Sequence, residues 1–167
     1  MAAVSRAPPG EPTLPEPQWP AIRDWLRQAY PDVAEVTAHT LQAWLDDPAG
    51  PTTRLLDVRS RAEYEVSRLP AALWAPDLER ALEVLAGPAA TPSRVVVYCS
   101  VGVRSARLAR ALATCGLGPV YNLRGSIFGW AGLGLPLVDD RGETRRVHPF
   151  DTRWGRLLDP ALQARPD

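Results

Sequence analysis

Two hydrophobic patterns alternate along the chain. The first is the short, strongly apolar stretch: RVVVY (94–98), unbroken from Val95 to Tyr98, and RLLDVR (54–59). Such runs predict strands buried on both faces, as in parallel sheets. The second is apolar spacing of three and four, which predicts amphipathic helices. AIRDWLRQAY (21–30), opened by Pro20, places Ile22, Trp25, Leu26 and Tyr30 on one side. VAEVT is a short strand, after which Thr37 caps a helix through AHTLQAWLDD that Pro48 and Gly50 end. Ser60 and Glu63 form a capping box for another short helix. ALW (72–74) is a strand, and Asp77 caps LERALEVLAG, whose stripe is Leu78, Ala81, Leu82 and Leu85, with Gly87 as its stop. SARLARALATC is a helix, VYNL a strand and SIFGWAG a short helix. This alternation predicts an α/β fold with a central parallel sheet and helices on both faces.

The ends differ from the middle. Residues 1–19 carry five prolines and little apolar periodicity, which predicts a flexible tail. Residues 20–32 form a helix that packs on the main domain, which runs over 33–138. Residues 139–167 are an extension. In it Asp140-Arg141-Gly142 favours a hairpin turn, and Trp154, Leu157 and Leu158 can dock back on the domain.

Composition narrows the chemistry. All 19 basic residues are arginine, which removes lysine Schiff bases, lysine-held pyridoxal phosphate and the P-loop lysine. The abundance of Ala, Arg and Pro fits a GC-rich bacterial genome. Formal net charge is zero, so neither nucleic acid nor an anionic membrane is an expected partner. The first 20 residues lack an apolar leader core, and no apolar run approaches the roughly 18 residues of a membrane span. The expectation is a soluble, cytoplasmic protein with reduced thiols.

Of the two cysteines, Cys99 stands apart. It directly follows the apolar strand, precedes the loop SVGV, and meets a helix that begins near Arg104 or Ser105. In an open parallel sheet, ligands bind beyond the carboxyl ends of the strands. There the unpaired N–H groups of the helix start and the positive end of its dipole converge. Gly102 permits a tight turn with positive φ, and Arg104 adds a cation. Both favour the thiolate over a thiol of ordinary pKa, about 8.5. Cys115, by contrast, shares a helical face with Leu108, Ala111 and Leu112 and is expected to be buried and structural. It lies about 16 Å along the helix from that helix's start. A disulfide needs Cα atoms within about 7 Å, so Cys99 has no resolving partner in the chain.

Three segments carry a family resemblance. YCSVGVRS (98–105) resembles the active-site loop of rhodanese-like sulfurtransferases, C-x-x-G-x-R followed by Ser or Thr. LLDVRSRAEY (55–64) resembles the family's D-x-R-x-x-x-E motif with its following aromatic residue. NLRGSIFGWAGLGLPL (122–137) resembles the closing segment, with Trp130 and Pro136 in place. The resemblance spans about Val33 to Val138 and implies a rhodanese-like fold. It implies that Cys99 takes a sulfane sulfur as a persulfide, held by loop N–H groups across Ser100, Val101, Gly102, Val103, Arg104 and Ser105. A small-molecule donor supplies the sulfur; a thiol, cyanide or a protein accepts it. Asp57 and Arg59 match the strand-end motif, either as a bracing ion pair or as direct participants.

Some positions depart from that pattern. After the short helix the family often has G-H-I-x-G-A, where this chain has Ser67-Arg68-Leu69-Pro70-Ala71-Ala72. Arg68 is therefore a candidate for the pocket rim. Ser100 stands where thiosulfate-using relatives often carry a basic residue, which predicts a poor response to thiosulfate.

Other chemistries fit less well. His39 and His148 lack metal-ligand spacing with a cysteine, so no metal and no cofactor are expected. A cysteine phosphatase or arsenate reductase would need five residues between cysteine and arginine; here there are four, Ser100 to Val103. A non-catalytic sulfur carrier or partner-binding module would use the same loop, and only turnover distinguishes it from an enzyme.

Overall fold

The computed structural model describes Gly10, residues 12–87 and residues 92–165. Five parallel strands form the central sheet: β1 (Ala34–Val36), β2 (Thr53–Asp57), β3 (Leu73–Trp74), β4 (Arg94–Tyr98) and β5 (Val120–Leu123). Their spatial order is β1-β5-β4-β2-β3. The catalytic-loop candidate therefore leaves the central strand, β4, which pairs with β2 on one side and β5 on the other.

Six helices connect and cover the strands: α1 (Trp19–Ala29), α2 (Ala38–Asp46), α3 (Arg61–Val66), α4 (Leu78–Leu85), α5 (Val103–Thr114) and α6 (Ser126–Gly132). The alternation of β4 divides the interior into two cores. Val96 and Tyr98 pack with Ile22 and Leu26 of α1, Leu41 of α2 and Phe128 of α6. Val95, Val97 and Cys99 pack with Leu108 and Leu112 of α5 and Ala81 of α4. A strand buried on both faces has no polar positions to spare, which is why RVVVY reads as an unbroken apolar run.

The predicted caps hold their helices. Thr37 Oγ1 accepts the Thr40 N–H, Asp77 Oδ1 accepts the Arg80 N–H, and Ser60 and Glu63 make the reciprocal capping box. Three local expectations are corrected. Helix α5 starts at Val103, because Gly102 adopts φ +111° at its N-cap and turns the chain one residue early. Helix α4 reaches the interior through Ala81, while Leu82 is 36% exposed; eight residues on the outside of the sheet bury only their inmost position. Cys115 is exposed, not buried. It closes α5 with its N–H on the Ala111 carbonyl, and residues 113–116 all face solvent. The apolar face of the helix continues to Cys115, but the packed part of the helix ends at Leu112.

Of the Pro-rich start, residues 1–9 and 11 lie outside the described residues. Residues 12–19 lie against the domain: Leu14 packs on the core and the Trp25 Nε1–H donates to the Pro12 carbonyl at 3.2 Å. At the other end, β6 (Leu137–Asp139) and β7 (Gly142–Thr144) form an antiparallel hairpin. Asp139 Oδ1 accepts the Arg141 and Gly142 N–H groups across its turn. A 3-10 turn at Trp154–Leu157 then buries Trp154, with Leu158 behind it, against the main core. Among the described residues, no helix is long and apolar enough to cross a membrane.

Candidate active site

Cys99 is the first residue beyond β4, and its backbone is pinned by the start of α6. The Cys99 N–H donates to Ser126 Oγ at 3.1 Å. The Ile127 and Phe128 N–H groups donate to the Cys99 and Ser100 carbonyls, each at 3.1 Å. Ser126 holds this position at φ +47°. The first turn of α6 thus fixes the start of the loop.

The loop then folds back over the sulfur. The Gly102 N–H donates to Cys99 Sγ at 3.1 Å. The Ser105 hydroxyl lies 3.4 Å from Sγ and 2.6 Å from Asn122 Oδ1, so its single proton has two acceptors. The Ser105 backbone N–H also favours the charged sulfur. Asn122 closes the ring by donating from Nδ2 to the Gly102 carbonyl at 3.0 Å. A Cβ at Gly102 would meet Asn122 Nδ2 and Leu26 Cδ1 at 3.5 Å, and the positive φ alone would strain any other residue.

Electrostatics favour the charged sulfur. Burial pushes the Cys99 thiol up, since only 1% of the residue is exposed. The Arg104 charge and the hydrogen bonds from Ser105 and Gly102 outweigh it, and the pKa falls below the ordinary thiol value.

Arg104 does not stand alone. Its Nη1 and Nη2 donate to Glu63 Oε2 and Oε1 at 2.9 and 2.8 Å, and Nη2 also donates to Ser100 Oγ at 2.9 Å. Ser100 donates in turn to Glu63 Oε1 at 3.0 Å, and the Ser60 N–H caps Oε2 at 2.9 Å. Burial pushes the Glu63 carboxyl up, but Arg104 and Ser60 pull it down to about 2. Burial likewise works against the Arg104 cation, and Glu63 and Cys99 more than restore it. One carboxylate therefore caps α3 and grips the loop arginine at two points.

Asp57 and Arg59 form a second, fully buried network. Arg59 donates to Asp57 from Nε and Nη2, at 3.0 and 2.7 Å, and from Nη2 to the Ser67 carbonyl at 2.6 Å. The Tyr98 hydroxyl donates to Asp57 Oδ2 at 2.7 Å and accepts the Leu69 N–H. This pair ties the ends of β2 and β4 to the segment after α3; it makes no hydrogen bond to Cys99 or to residues 100–105. Arg68 makes no hydrogen bond to the loop. It pairs with Asp140 at 2.6 Å, stacks on Tyr64 at 4.6 Å and bridges to Val138, so it braces the hairpin.

The structure thus brings Cys99, Ser100, Gly102, Arg104 and Ser105 into one constellation. Val101 and Val103 face the main core, although α1 and α6 leave a groove alongside Val101. Glu63, Asn122 and Ser126 belong to the constellation as well. For Glu63 a sequence signal existed, since it closes both the capping box and the D-x-R-x-x-x-E motif. Asn122 and Ser126 lie in the closing segment NLRGSIFGWAGLGLPL, but nothing in that segment shows that their side chains reach the loop. His39 is exposed, and His148 makes a local bond by accepting the Phe150 N–H. Among the described residues, no group of three or more His, Cys, Asp or Glu could hold a metal ion.

Comparison with known proteins points the same way. Residues 37–133 match the model of the rhodanese-like domain. A protein of Allochromatium vinosum named as a sulfurtransferase is 34% identical over 110 residues, which cover 66% of this chain and 99% of that one. The crystal structure of a thiosulfate sulfurtransferase from Pseudomonas aeruginosa aligns with TM-score 0.59 and 31% identity, over 74% of this chain and 23% of that one. A rhodanese-related protein from Thermoplasma volcanium aligns with TM-score 0.52 and 22% identity, over 63% of this chain and 97% of that one. The chain therefore spans nearly all of the first relative but about a quarter of the Pseudomonas protein.

Proposed function

This chain belongs to the rhodanese-like family, and from that premise we propose that it is a sulfurtransferase carrying a sulfane sulfur on Cys99 as a persulfide. The observation that carries the reading is the Cys99 sulfur itself, buried, held by the Gly102 N–H at 3.1 Å and lowered in pKa by the Arg104 charge. The Cys99 thiolate attacks the outer sulfur of a donor. An S–S bond forms to Cys99, the donor's bond to that sulfur breaks, and the electron pair leaves with the donor remainder. A thiol or cyanide acceptor then attacks the outer sulfur, and Cys99 departs as thiolate. The sulfur moves as a neutral atom and the acceptor supplies the electron pair that binds it, so no separate oxidant or reductant enters.

The loop suits the intermediate. The outer sulfur sits about 2 Å beyond Sγ, as in a disulfide, and carries the negative charge. The first-turn N–H groups of α5 have no intrahelical acceptor and can serve it. Arg104 keeps the field positive without leaving its Glu63 bracket. That bracket, with Ser100 in place of a basic residue, makes a hydrated inorganic dianion such as thiosulfate a poor donor. The reading fits a reducing, cytoplasmic setting, where a lone reactive thiol persists.

The competing reaction is phosphoryl or arsenate chemistry, which spreads charge over three equatorial oxygens and needs a wider cradle. The test offers the protein a panel of sulfane donors with cyanide as acceptor, and aryl phosphates and arsenate in parallel. Thiocyanate release that disappears in Cys99→Ser supports the proposal. Release of phenol from aryl phosphates that disappears in the same variant overturns it. Loading once without turnover makes the chain a carrier and not an enzyme.

A further inference from the structure

Phe150 breaks two rules at once. It is a bulky residue at φ +66°, and it is 44% exposed. A bulky residue held at positive φ is uncommon and strained, and such strain persists only where the surroundings enforce it. The surroundings here do. The Phe150 N–H donates to His148 Nδ1 at 3.0 Å, and four residues later Trp154 is buried, with its N–H on Asp151 Oδ1. The segment is anchored on both sides of a ring that it presents outward, and burial of the ring is not the reason.

The ring lies on Arg104, with the guanidinium carbon 4.7 Å from its centroid. Of residues 99–105, Arg104 is the one that is not buried. Its edge nitrogens are taken by Glu63 and Ser100, and Phe150 covers its face. The one residue of this loop that reaches the surface thus carries an exposed aromatic ring on its face, over an arginine paired with Glu63. Phe150 lies beyond the family match, which ends at residue 133, so this ring belongs to the C-terminal extension.

We propose that Phe150 is a specificity-determining residue at the approach to Cys99, favouring sulfur donors with an aromatic or apolar body over small hydrated dianions. The inference rests on the sulfurtransferase reading for its substrate, but not for its geometry. An aromatic donor body stacks on the exposed ring and loses apolar surface to it. A dianion gains no such contact and finds Nη1 and Nη2 of the arginine already bonded to Glu63 and Ser100. Leaving groups follow the same balance as before: sulfinate from an aryl thiosulfonate, sulfite from thiosulfate.

The experiment compares benzenethiosulfonate with thiosulfate, using cyanide as acceptor, in the parent protein, Phe150→Leu and Phe150→Gly. Glycine accepts positive φ, so the backbone of that variant is relieved, not broken. The expected result is a fall of about tenfold in the benzenethiosulfonate-to-thiosulfate ratio of kcat/KM for Phe150→Gly, carried by KM, with a smaller fall for Leu. An unchanged ratio overturns the proposal. A second arm needs no sulfur transfer. In a Cys115→Ser background, Cys99 is alkylated by N-phenyliodoacetamide and by iodoacetate. The phenyl reagent should be preferred by the parent and lose that preference in Phe150→Gly; equal ratios overturn the proposal. If the parent transfers sulfur from neither donor, the sulfurtransferase reading fails, and the alkylation ratio alone decides the role of Phe150.

Discussion

Replacing Glu63 by Gln changes one charge and almost no volume, yet every partner of its carboxylate is a donor. Oε1 accepts from Ser100 and Arg104, and Oε2 accepts from Ser60 and Arg104. Whichever way the new amide turns, its NH2 group meets a guanidinium N–H. Ser100 can reverse its hydroxyl, but Arg104 cannot accept. The native carboxyl titrates near 2 instead of 4.5. At about 1.4 kcal/mol per unit, that difference corresponds to about 3 kcal/mol of stability. A depressed carboxylate contributes fully above its unfolded pKa and loses its contribution as pH falls toward 2. Glu63→Gln should therefore lower Tm by about 10 °C at pH 7, with the gap from the parent closing as pH drops from about 4.5 towards 2. Arg104, freed of its counter-charge, should also shift the Cys99 alkylation profile to lower pH. Calorimetry across pH tests the first statement and iodoacetamide kinetics the second. A Tm difference that is absent at pH 7, or that persists undiminished at pH 2, would refute the assigned role of Glu63.

Two further predictions concern the loop and its control. Arg104→Ala should raise the Cys99 pKa and slow its alkylation at neutral pH, with Arg104→Lys restoring the charge but not the two-point grip on Glu63; pH profiles of alkylation for the three proteins check this. Cys115→Ser should leave Tm within about 0.5 kcal/mol equivalent of the parent, as for other surface changes, and should remove one rapidly labelled thiol in a mass-resolved thiol count.

Legibility differed from element to element. RVVVY declared a doubly covered parallel strand because its inward positions on both faces are apolar; RLLDVR did so only through Leu55-Leu56, since β2 ends in the buried Asp57 that Arg59 pairs. The Cys99-to-Arg104 loop was legible because strand, glycine, arginine and helix follow one another within ten residues. Glu63 was legible as a cap and as the end of the D-x-R-x-x-x-E motif, but neither shows that Arg104, 41 positions on, takes its remaining lone pairs. Asn122 and Ser126 reach the loop through the β4–β5 pairing and the turn into α6, which no local pattern encodes. Cys115 misled because helical periodicity continues past the point where the packing stops. Phe150 carried no signal at all, since its meeting with Arg104 depends on how the C-terminal extension docks.

The most direct test of the account is intact-protein and peptide mass spectrometry after brief exposure to a sulfane donor, followed by cyanide. The account predicts that the protein gains one sulfur atom, that the gain maps to Cys99 and not to the exposed Cys115, and that cyanide removes it with release of thiocyanate. A protein that gains no sulfur, or gains it on Cys115 while Cys99 stays unmodified, would contradict it.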